Sequence, residues 1–387
     1  MDQPVTEAQI FDIPIETALA GTDQIRLLED ASRMMGEVNN FASGAMEFGF
    51  AIQALKNAEA LASARIEGTT GNLQDLYMEE AIGQERKVQL KLFSAINYRM
   101  AMNEIESIVG AYKRIDLPLV RHLHKILSEN DPATRGVPGK FREEEVHIHS
   151  SRLGDFIPPS HLKVDELMGR FVAEITNRKD LPSLIQAAIT HYQFESIHPF
   201  RDGNGRTGRM LITGQLLIDG SLRAPMFNLS QFFDEHRDDY VEKLRAITEA
   251  NSYQGWIRFF LSAVKEQGAR NLVFIDRLRV IEKEDALIIN ERLRSPAASH
   301  ILRHALNKLY ISVPSTEAYL ASQHVSSADL SQVARTNIQR MVEEGVLEGA
   351  DFKFGKARVY AHKKLRDFMF GATAKASQDA PKPAEGA

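Results

Sequence analysis

Apolar residues recur at intervals of three or four along most of the chain, which is the spacing that one face of an α-helix produces. One such stripe, which ends before Gly68, consists of Ile52, Leu55, Ala58, Ala62 and Ile66. Asn72 carries a side chain suited to cap the helix that follows. The same spacing predicts helices at 161–177, 182–196 and 205–219. The pattern therefore predicts a mainly α-helical protein.

The stretch 135–159 breaks this pattern. It is rich in glycine and proline, and Val146 and Ile148 alternate around His147. Alternation between turn-forming residues indicates extended backbone and not a helix. We therefore predict a hairpin or flap between helices here.

The character of the chain changes from about Ile301 onward. Two short helical patterns, 315–322 and 330–344, precede an alternating, basic stretch from Phe352 to Tyr360. Helix, helix and a two-stranded wing is the order of a winged helix-turn-helix domain. Residues 372–387 are rich in Ala, Pro, Lys and Gln, and this composition predicts a disordered tail.

Composition narrows the class of protein. The 387 residues carry a formal net charge of -5 and include no cysteine. An acidic balance argues against a chain built mainly to coat nucleic acid, and the lack of cysteine excludes disulfides, thiolate metal sites and a cysteine nucleophile. No stretch approaches the roughly 18 uninterrupted apolar residues of a membrane span. We expect a cytoplasmic protein of two or three domains with no membrane partner.

The segment from His198 to Arg209, HPFRDGNGRTGR, concentrates chemical groups in one loop. Its glycines let the backbone approach a ligand closely, and the helix that follows offers free N–H groups to an anion. Arg206 and Arg209 lie about one helical turn apart, so both are expected to face the same phosphates. Asp202 is the kind of single carboxylate that holds Mg²⁺ when phosphate oxygens and water complete the shell. His198 is suited to remove a proton from a hydroxyl, so the loop has the parts that transfer of a phosphate ester needs.

With every specified position filled, this segment resembles the signature of the Fic family, H-P-F-x-[D/E]-G-N-G-R-x-x-R. The resemblance extends to a flap region at 136–142 and 156–159, and it covers most of 20–370. It implies a Fic-type helical bundle core with a β-hairpin flap, followed by a winged helix-turn-helix domain. The expected divisions are 1–110 for an N-terminal helical region, 111–265 for the Fic core, 266–371 for a linker helix and the winged helix-turn-helix, and 372–387 for the tail.

The resemblance implies a protein adenylyltransferase, which is a nucleotidyltransferase that moves AMP from ATP to a Ser, Thr or Tyr hydroxyl of a target protein and releases pyrophosphate. His198 would be the catalytic base, and Asp202 would hold Mg²⁺. The residues implied in ATP binding are Gly203, Asn204, Gly205, Arg206, Thr207, Gly208, Arg209, Tyr240 and Asn251. The flap residues implied in docking an extended target segment are Val146, His147, Ile148 and His149.

Upstream, the segment 63–68, SARIEG, resembles the family's inhibitory motif, [S/T]-x-x-x-E-[G/N]. Ser63 and Glu67 are four residues apart, hence on one face of a helix. The resemblance implies a class II Fic protein, in which Glu67 pairs with Arg209 and withholds this arginine from the γ-phosphate of ATP. In some relatives the same glutamate also helps to remove AMP from the target, and the sequence leaves this open.

Functions of other classes stay open. One is a DNA-binding transcriptional regulator, with the Fic domain as a nucleotide sensor. The residues that could contact DNA are Arg335, Asn337 and Arg340 on the second helix and Lys353, Lys356 and Arg358 on the wing. The acidic pair Glu343 and Glu344 ends the same helix, so a protein-interaction or dimerisation module, including a homodimer, is favoured over DNA binding. A toxin with a separate antitoxin is disfavoured because the inhibitory motif lies in the same chain.

Overall fold

The computed structural model describes residues 4–13, 21–42, 49–82, 90–112, 114–149, 152–177 and 181–378. These residues are mainly helical and include one small sheet, which confirms the predicted mainly α class. They fall into two compact units, of which the second comprises 49–51, 72–82 and 273–378 and the first comprises the other described residues up to Leu272. The divisions predicted after residues 110 and 265 fall inside helices and stay predictions.

The helices up to residue 288 are labelled in chain order. They are α1 (Glu7–Phe11), α2 (Thr22–Ala42), α3 (Gly49–Ile66), α4 (Leu73–Ile82), α5 (Phe93–Tyr112), α6 (Leu117–Ser128), α7 (Val164–Asn177), α8 (Ser183–Ile197), α9 (Asn204–Ile218), α10 (Leu229–Glu235), α11 (Arg237–Ala250) and α12 (Tyr253–Ile288). The helix α4 and the residues of α12 after Leu272 belong to the second unit. Local chemistry sets several starts: Asn72 caps α4 as predicted, since its Oδ1 accepts a hydrogen bond from the Asp75 amide at 2.8 Å. Asp116 caps α6 in the same way.

The helix α8 runs through the core of the first unit. Nearly all of its residues are buried, and a helix that is enclosed on every side is a core helix. Phe194 of α8 packs with Phe171 and with Phe200, which follows the end of the helix. Phe200 therefore holds the first part of the loop between α8 and α9 against the core, and this loop contains the predicted site.

The second unit combines helices with the sheet. A short π-helix, Ile289–Leu293, follows α12. The remaining α-helices and strands of this unit are α13 (Pro296–Lys308), β1 (Tyr310–Ser312), α14 (Val313–Ser322), α15 (Leu330–Glu343), β2 (Leu347–Phe354), β3 (Ala357–His362) and α16 (Lys363–Gln378). The strands lie in the order β1-β3-β2 and all pairs are antiparallel. Two helices and a hairpin come in the predicted order, and the winged-helix assignment itself stays a prediction.

Two of the three side chains proposed to reach DNA from α15 are used within the second unit. Asn337 is buried and its Nδ2 donates to the Val333 carbonyl at 2.8 Å. Arg340 Nη2 donates to the Leu293 carbonyl at 2.8 Å. Arg335 is exposed and Arg340 is half-buried, so Arg335 is the more accessible of the two arginines of α15.

Two sequence predictions need correction. The hairpin predicted for 135–159 is reduced, within the described residues 135–149 and 152–159, to a single antiparallel bridge between Ile148 and Phe156. The glycines bend this backbone and the prolines lack the N–H donor, so a longer ladder does not form. The tail predicted as disordered begins with residues 372–378 in α16, because alanine and lysine favour helix, and 379–387 lie outside the described residues. Of the described helices, none has the length and apolar character to cross a membrane.

Candidate active site

The loop between α8 and α9 is closed by its own side chains. His198 ends α8 in the left-handed conformation with φ 50°, and Gly203 precedes α9 with φ 77°. Asn204 is buried; its Nδ2 donates to the Phe200 carbonyl and its Oδ1 accepts from the Phe200 amide, both at 2.8 Å. Asn204, predicted to contact phosphates, therefore uses its side chain to hold the loop in shape.

His198 is held as a neutral imidazole. Its Nδ1 lies 3.3 Å from the Glu195 carbonyl, a contact in which Nδ1 carries the proton, which leaves Nε2 as the basic nitrogen. Burial lowers the pKa of His198 to about 4, although the hydrogen bond to the Glu195 backbone opposes this shift. Arg142 Nε donates to the His198 carbonyl at 2.9 Å and fixes the backbone. At neutral pH this ring is able to accept a proton, as a general base must.

Asp202 lies in the same loop with acceptor capacity to spare. Its Oδ1 accepts from the Gly203 amide at 2.6 Å and its Oδ2 from the Arg135 amide at 3.1 Å. Each oxygen keeps a free lone pair, and Mg²⁺ is usually held by one or two carboxylates together with phosphates and water. Among the described residues, no group of three or more His, Asp or Glu could hold a metal by itself. The residues present thus fit Mg²⁺ that arrives with a polyphosphate.

His124 of α6 supports this loop, a role that the sequence reasoning missed. Its Nδ1 accepts from the Gly139 amide at 2.9 Å, so Nε2 carries the proton and donates to the Asp202 carbonyl at 2.9 Å. The ring stacks on Phe200 at 3.6 Å between centroids. Its place on the apolar face of α6 was the signal in the sequence.

The two arginines of α9 face different partners. Arg206 Nη1 lies 3.1 Å from Asp131 Oδ2, and both side chains are at most 5% exposed. The same guanidinium donates to the Leu127 carbonyl at 3.2 Å and to Thr134 Oγ1 at 3.2 Å. Arg206 is thus bound to protein groups in this conformation, which differs from the expectation that both arginines face one set of phosphates. The reason is a buried carboxylate opposite Arg206, which spacing along one helix does not reveal.

Arg209 is bound by the upstream motif. Its Nη2 donates to Glu67 Oε1 at 2.8 Å and to the Ser63 carbonyl at 2.9 Å, and its Nε donates to Ser63 Oγ at 2.9 Å. Arg209 is 2% exposed, whereas the Glu67 side chain is 41% exposed. Burial works to raise the pKa of Glu67, but the charge and hydrogen bond of Arg209, together with the charges of Arg206 and His198, hold this pKa below its ordinary value. Ser63 lies in α3, whereas Glu67 lies in the turn after the helix ends at Ile66.

Gly205 makes room for the Glu67 carboxylate. A Cβ at this position would lie 2.2 Å from Glu67 Oε1 and 2.9 Å from Arg209 Nη1. Glycine at position 205 is therefore required for the Glu67–Arg209 pair to form, as well as for a ligand to approach the backbone closely.

A cavity of about 220 Å³ opens beside these groups. It is lined by predicted residues from three regions: the upstream motif, the loop and helices of the core, and the flap, namely Glu67, His198, Gly205, Arg209, Tyr240 and Ile148. Its lining does not include Asp202, Gly203, Asn204, Arg206, Thr207, Gly208, Asn251, Val146, His147 or His149.

Several of the residues outside the lining have local roles. Thr207 Oγ1 donates to the Gly203 carbonyl at 2.9 Å at the start of α9. Asn251 ends α11 in the left-handed conformation with φ 52°, which asparagine tolerates well. Gly208 lies against Glu195 and Phe194 of α8. His149 Nδ1 contacts Asp155 Oδ1 at 2.6 Å across the flap.

Glu195 is a cavity residue that the sequence reasoning missed. It lines the cavity with Glu67 and Arg209, and one of its carboxylate oxygens is buried with no hydrogen-bond partner among the described residues. Burial raises the pKa of Glu195 to about 8, against the influence of Arg209. A single glutamate within the otherwise buried α8 was the available signal.

Comparison with known proteins gives two family matches. Residues 114–216 match the Fic/DOC family, and residues 25–104 match the N-terminal region of the same family. The motif, the flap and the cluster of Ser63, Glu67 and Arg209 all fall in these ranges.

Individual relatives are similar over parts of their length. A probable protein adenylyltransferase of Aquifex aeolicus is 26% identical over 242 residues, which are 59% of this chain and 72% of that protein. The protein adenylyltransferase Fic of Culex quinquefasciatus is 30% identical over 171 residues, 41% of this chain but only 31% of that protein. The crystal structure of a Fic family protein from Desulfovibrio desulfuricans G20 matches with a TM-score of 0.55 and 18% identity, covering 93% of this chain and 98% of that one. At this identity the structural likeness establishes the fold.

Proposed function

We propose that this chain, which carries the Fic domain and the N-terminal region of that family, is an enzyme. It transfers AMP from ATP to a hydroxyl group of a protein. The observation that carries the proposal is the cavity lined by both a neutral His198 and Arg209, with the Asp202 loop directly beside it. The names of the relatives support the same activity.

The chemistry follows from the positions of these groups. Nε2 of His198 takes the proton of a Ser, Thr or Tyr hydroxyl as the hydroxyl oxygen attacks the α-phosphorus of ATP. The bond from the α-phosphorus to the bridging oxygen breaks, and pyrophosphate leaves with the electron pair. Mg²⁺ held by Asp202 would neutralise charge on the phosphates. The N-terminus of α9 and Gly205 admit the polyphosphate closely.

We further propose that Glu67 inhibits this reaction. While Glu67 and Ser63 occupy Arg209, the guanidinium has no free fork for the γ-phosphate, and ATP lacks the contact that would orient its α-phosphorus. The exposed position of Glu67 in a turn makes it the solvent-accessible partner of the pair.

The extended edge of the flap at Ile148 lines the same cavity. We propose that this edge binds a segment of the target protein through backbone hydrogen bonds, with Val146, His147 and His149 as neighbouring contacts. His147 and His149 are exposed and so accessible to such a segment.

The test compares ATP labelled at the α-phosphate with ATP labelled at the γ-phosphate. Wild type, Glu67→Gly and the Glu67→Gly, His198→Ala double variant are incubated with host lysate and Mg²⁺. We expect protein-bound label from the α-position only, raised roughly tenfold or more by Glu67→Gly because a charge-assisted hydrogen bond contributes about 1.5–3 kcal/mol. The double variant should transfer none.

Label from the γ-position alone would mean phosphoryl transfer and would refute the proposal. Equal rates in wild type and Glu67→Gly would refute inhibition by Glu67 and leave the transfer itself standing.

A further inference from the structure

The helix α11 holds one arm of the flap through an arginine. We call residues 146–149 the outgoing arm and residues 152–157 the returning arm. Arg245 Nη1 donates to the Gly154 carbonyl at 3.2 Å, and its Nη2 donates to the Asp155 carbonyl at 2.6 Å. The planar guanidinium fork thus donates hydrogen bonds to two successive backbone carbonyls of the returning arm.

The fork is itself fixed in place. Arg245 Nε donates to Glu249 Oε1 at 2.7 Å, one turn further along α11. The arginine side chain is 7% exposed, and its guanidinium carbon lies 5.7 Å from the centre of the Phe156 ring. A buried, charge-assisted fork of this kind is little weakened by solvent.

The returning arm in turn positions the outgoing arm. The amides and carbonyls of Ile148 and Phe156 exchange two hydrogen bonds, both at 2.9 Å. Ile148, Phe156 and Arg245 all line the cavity that also contains His198. The place of Ile148 relative to the catalytic ring therefore depends on the returning arm, and through it on Arg245.

We propose that Arg245 is a positioning residue, which fixes the flap so that a bound target segment presents its hydroxyl to His198. This inference rests on the proposed function, because it assigns Arg245 to the docking of the protein substrate and not to the chemistry.

Arg152 provides a matched comparison. It also joins the returning arm to α11, but through ion pairs with the side chains of Asp238, at 3.2 Å, and Glu242. Arg152 is 51% exposed, so water and salt screen these pairs. Loss of Arg152 should therefore free the flap far less than loss of Arg245.

The test uses Arg245→Met, Arg245→Lys and Arg152→Met, each in the Glu67→Gly background and as the full chain. Three quantities are measured: hydrogen exchange of the Ile148 and Phe156 amides in the free protein, the dissociation constant of ATP, and the rate of α-label transfer to lysate protein at saturating ATP. For Arg245→Met we expect faster exchange and transfer reduced roughly tenfold, with ATP affinity changed by less than about threefold. Arg245→Lys should fall in between, since lysine keeps the charge but has no fork, and Arg152→Met should stay near its parent.

Unchanged exchange in Arg245→Met would overturn the proposal, and so would an equal effect of Arg152→Met. A loss of ATP affinity as large as the loss of transfer would also overturn it, since Arg245 would then contact the nucleotide. If the Glu67→Gly parent transfers no label, the proposed function fails, whereas the exchange measurement still reports whether Arg245 anchors the flap.

Discussion

Arg206 and Arg209 are one turn apart on α9, and the difference between their partners bears on what each can do. Asp131, the partner of Arg206, is 1% exposed and also accepts hydrogen bonds from Ser94 and from the Ala133 amide. Glu67, the partner of Arg209, lies in an exposed turn. A buried carboxylate held by three donors cannot leave without large cost, so of the two carboxylates Glu67 is the one that a phosphate displaces more easily.

At this scale we predict that Arg206→Met destabilises the first unit by about 3–5 kcal/mol, because it leaves the Asp131 charge buried and unpaired. Denaturant unfolding followed by the fluorescence of Trp256, the single tryptophan and a buried residue of the first unit, measures this. Arg33→Met is the control, since the exposed ion pairs of Arg33 should contribute less than about 1 kcal/mol. An Arg206 variant with full stability and weakened ATP binding would instead make this residue a phosphate ligand.

The sequence identified His198, Gly205 and Arg209 because their chemistry and spacing are local. The pairing of Glu67 with Arg209 was also expected, but from the resemblance and not from spacing. Glu195 and His124 were missed because their importance depends on what lies across from them, namely Arg209 and the Asp202 carbonyl. Contacts between residues far apart in the chain are set by tertiary packing, which one-dimensional patterns do not contain.

Among the elements, α8 and α9 approach each other closely at Gly208. A Cβ there would lie 2.4 Å from Glu195 Oε1, 3.1 Å from Phe194 Cδ1 and 3.2 Å from His191 Nδ1. Three neighbours from a single helix indicate that Gly208 sets the distance between α8 and α9, the helices on either side of the loop that contains His198 and Asp202.

We predict that Gly208→Ala destabilises the first unit by about 1–3 kcal/mol through overpacking, again measured by Trp256 fluorescence. Gly169 offers the matched control, because it is an exposed helical glycine of α7 and a Cβ added there would meet no heavy atom within 4 Å. Gly169→Ala should stabilise by about 0.5–1 kcal/mol through helix propensity. If both variants shift the free energy of unfolding in the same direction, Gly208 is not required for the close approach of α8 and α9.

The helices were predictable because apolar spacing and capping residues such as Asn72 are features of the local sequence. The flap was predicted as a hairpin and has only the Ile148–Phe156 bridge. Its returning arm is held by Arg245 of a distant helix, a contact that local spacing does not contain. Similarly, helix spacing placed Glu67 on the face of Ser63, whereas the helix ends one residue earlier.

For the molecule as a whole, buried ionisable groups couple stability to pH. Burial lowers the pKa of His191 to about 3 and that of His198 to about 4. The folded state therefore keeps both rings neutral below pH 6.5, where the unfolded chain binds protons, so stability falls as the pH falls. Glu195 has the opposite effect on the pH dependence of stability. Because its pKa is raised in the folded state, the fold loses stability as the pH rises from 4.5 towards 8. These three groups by themselves place a stability maximum near pH 6.5.

His124, a third buried histidine of the first unit, also has its pKa lowered to about 4 by burial. We expect the free energy of unfolding of the first unit to decrease by about 1–2 kcal/mol between pH 6.5 and 5.5, measured by denaturant titration with Trp256 as the probe. His191→Gln should remove about 1 kcal/mol of this decrease, because glutamine does not titrate. His122→Gln changes an exposed histidine of the same unit and should leave the profile as in the wild type. A profile that is equally steep in His191→Gln would assign the effect to other groups.

The Glu67–Arg209 pair joins two residues of one polypeptide, so the restraining group and the group that it restrains are always made in equal amounts. Their mutual concentration is set by the fold and does not change on dilution. If the proposed function holds, the fraction of molecules in the inactive form is fixed by the fold. This fraction does not depend on the expression level or on the concentration of a separate inhibitory partner. Raising the amount of protein then raises the restrained and the free forms in the same ratio, and only an event that displaces Glu67 changes that ratio.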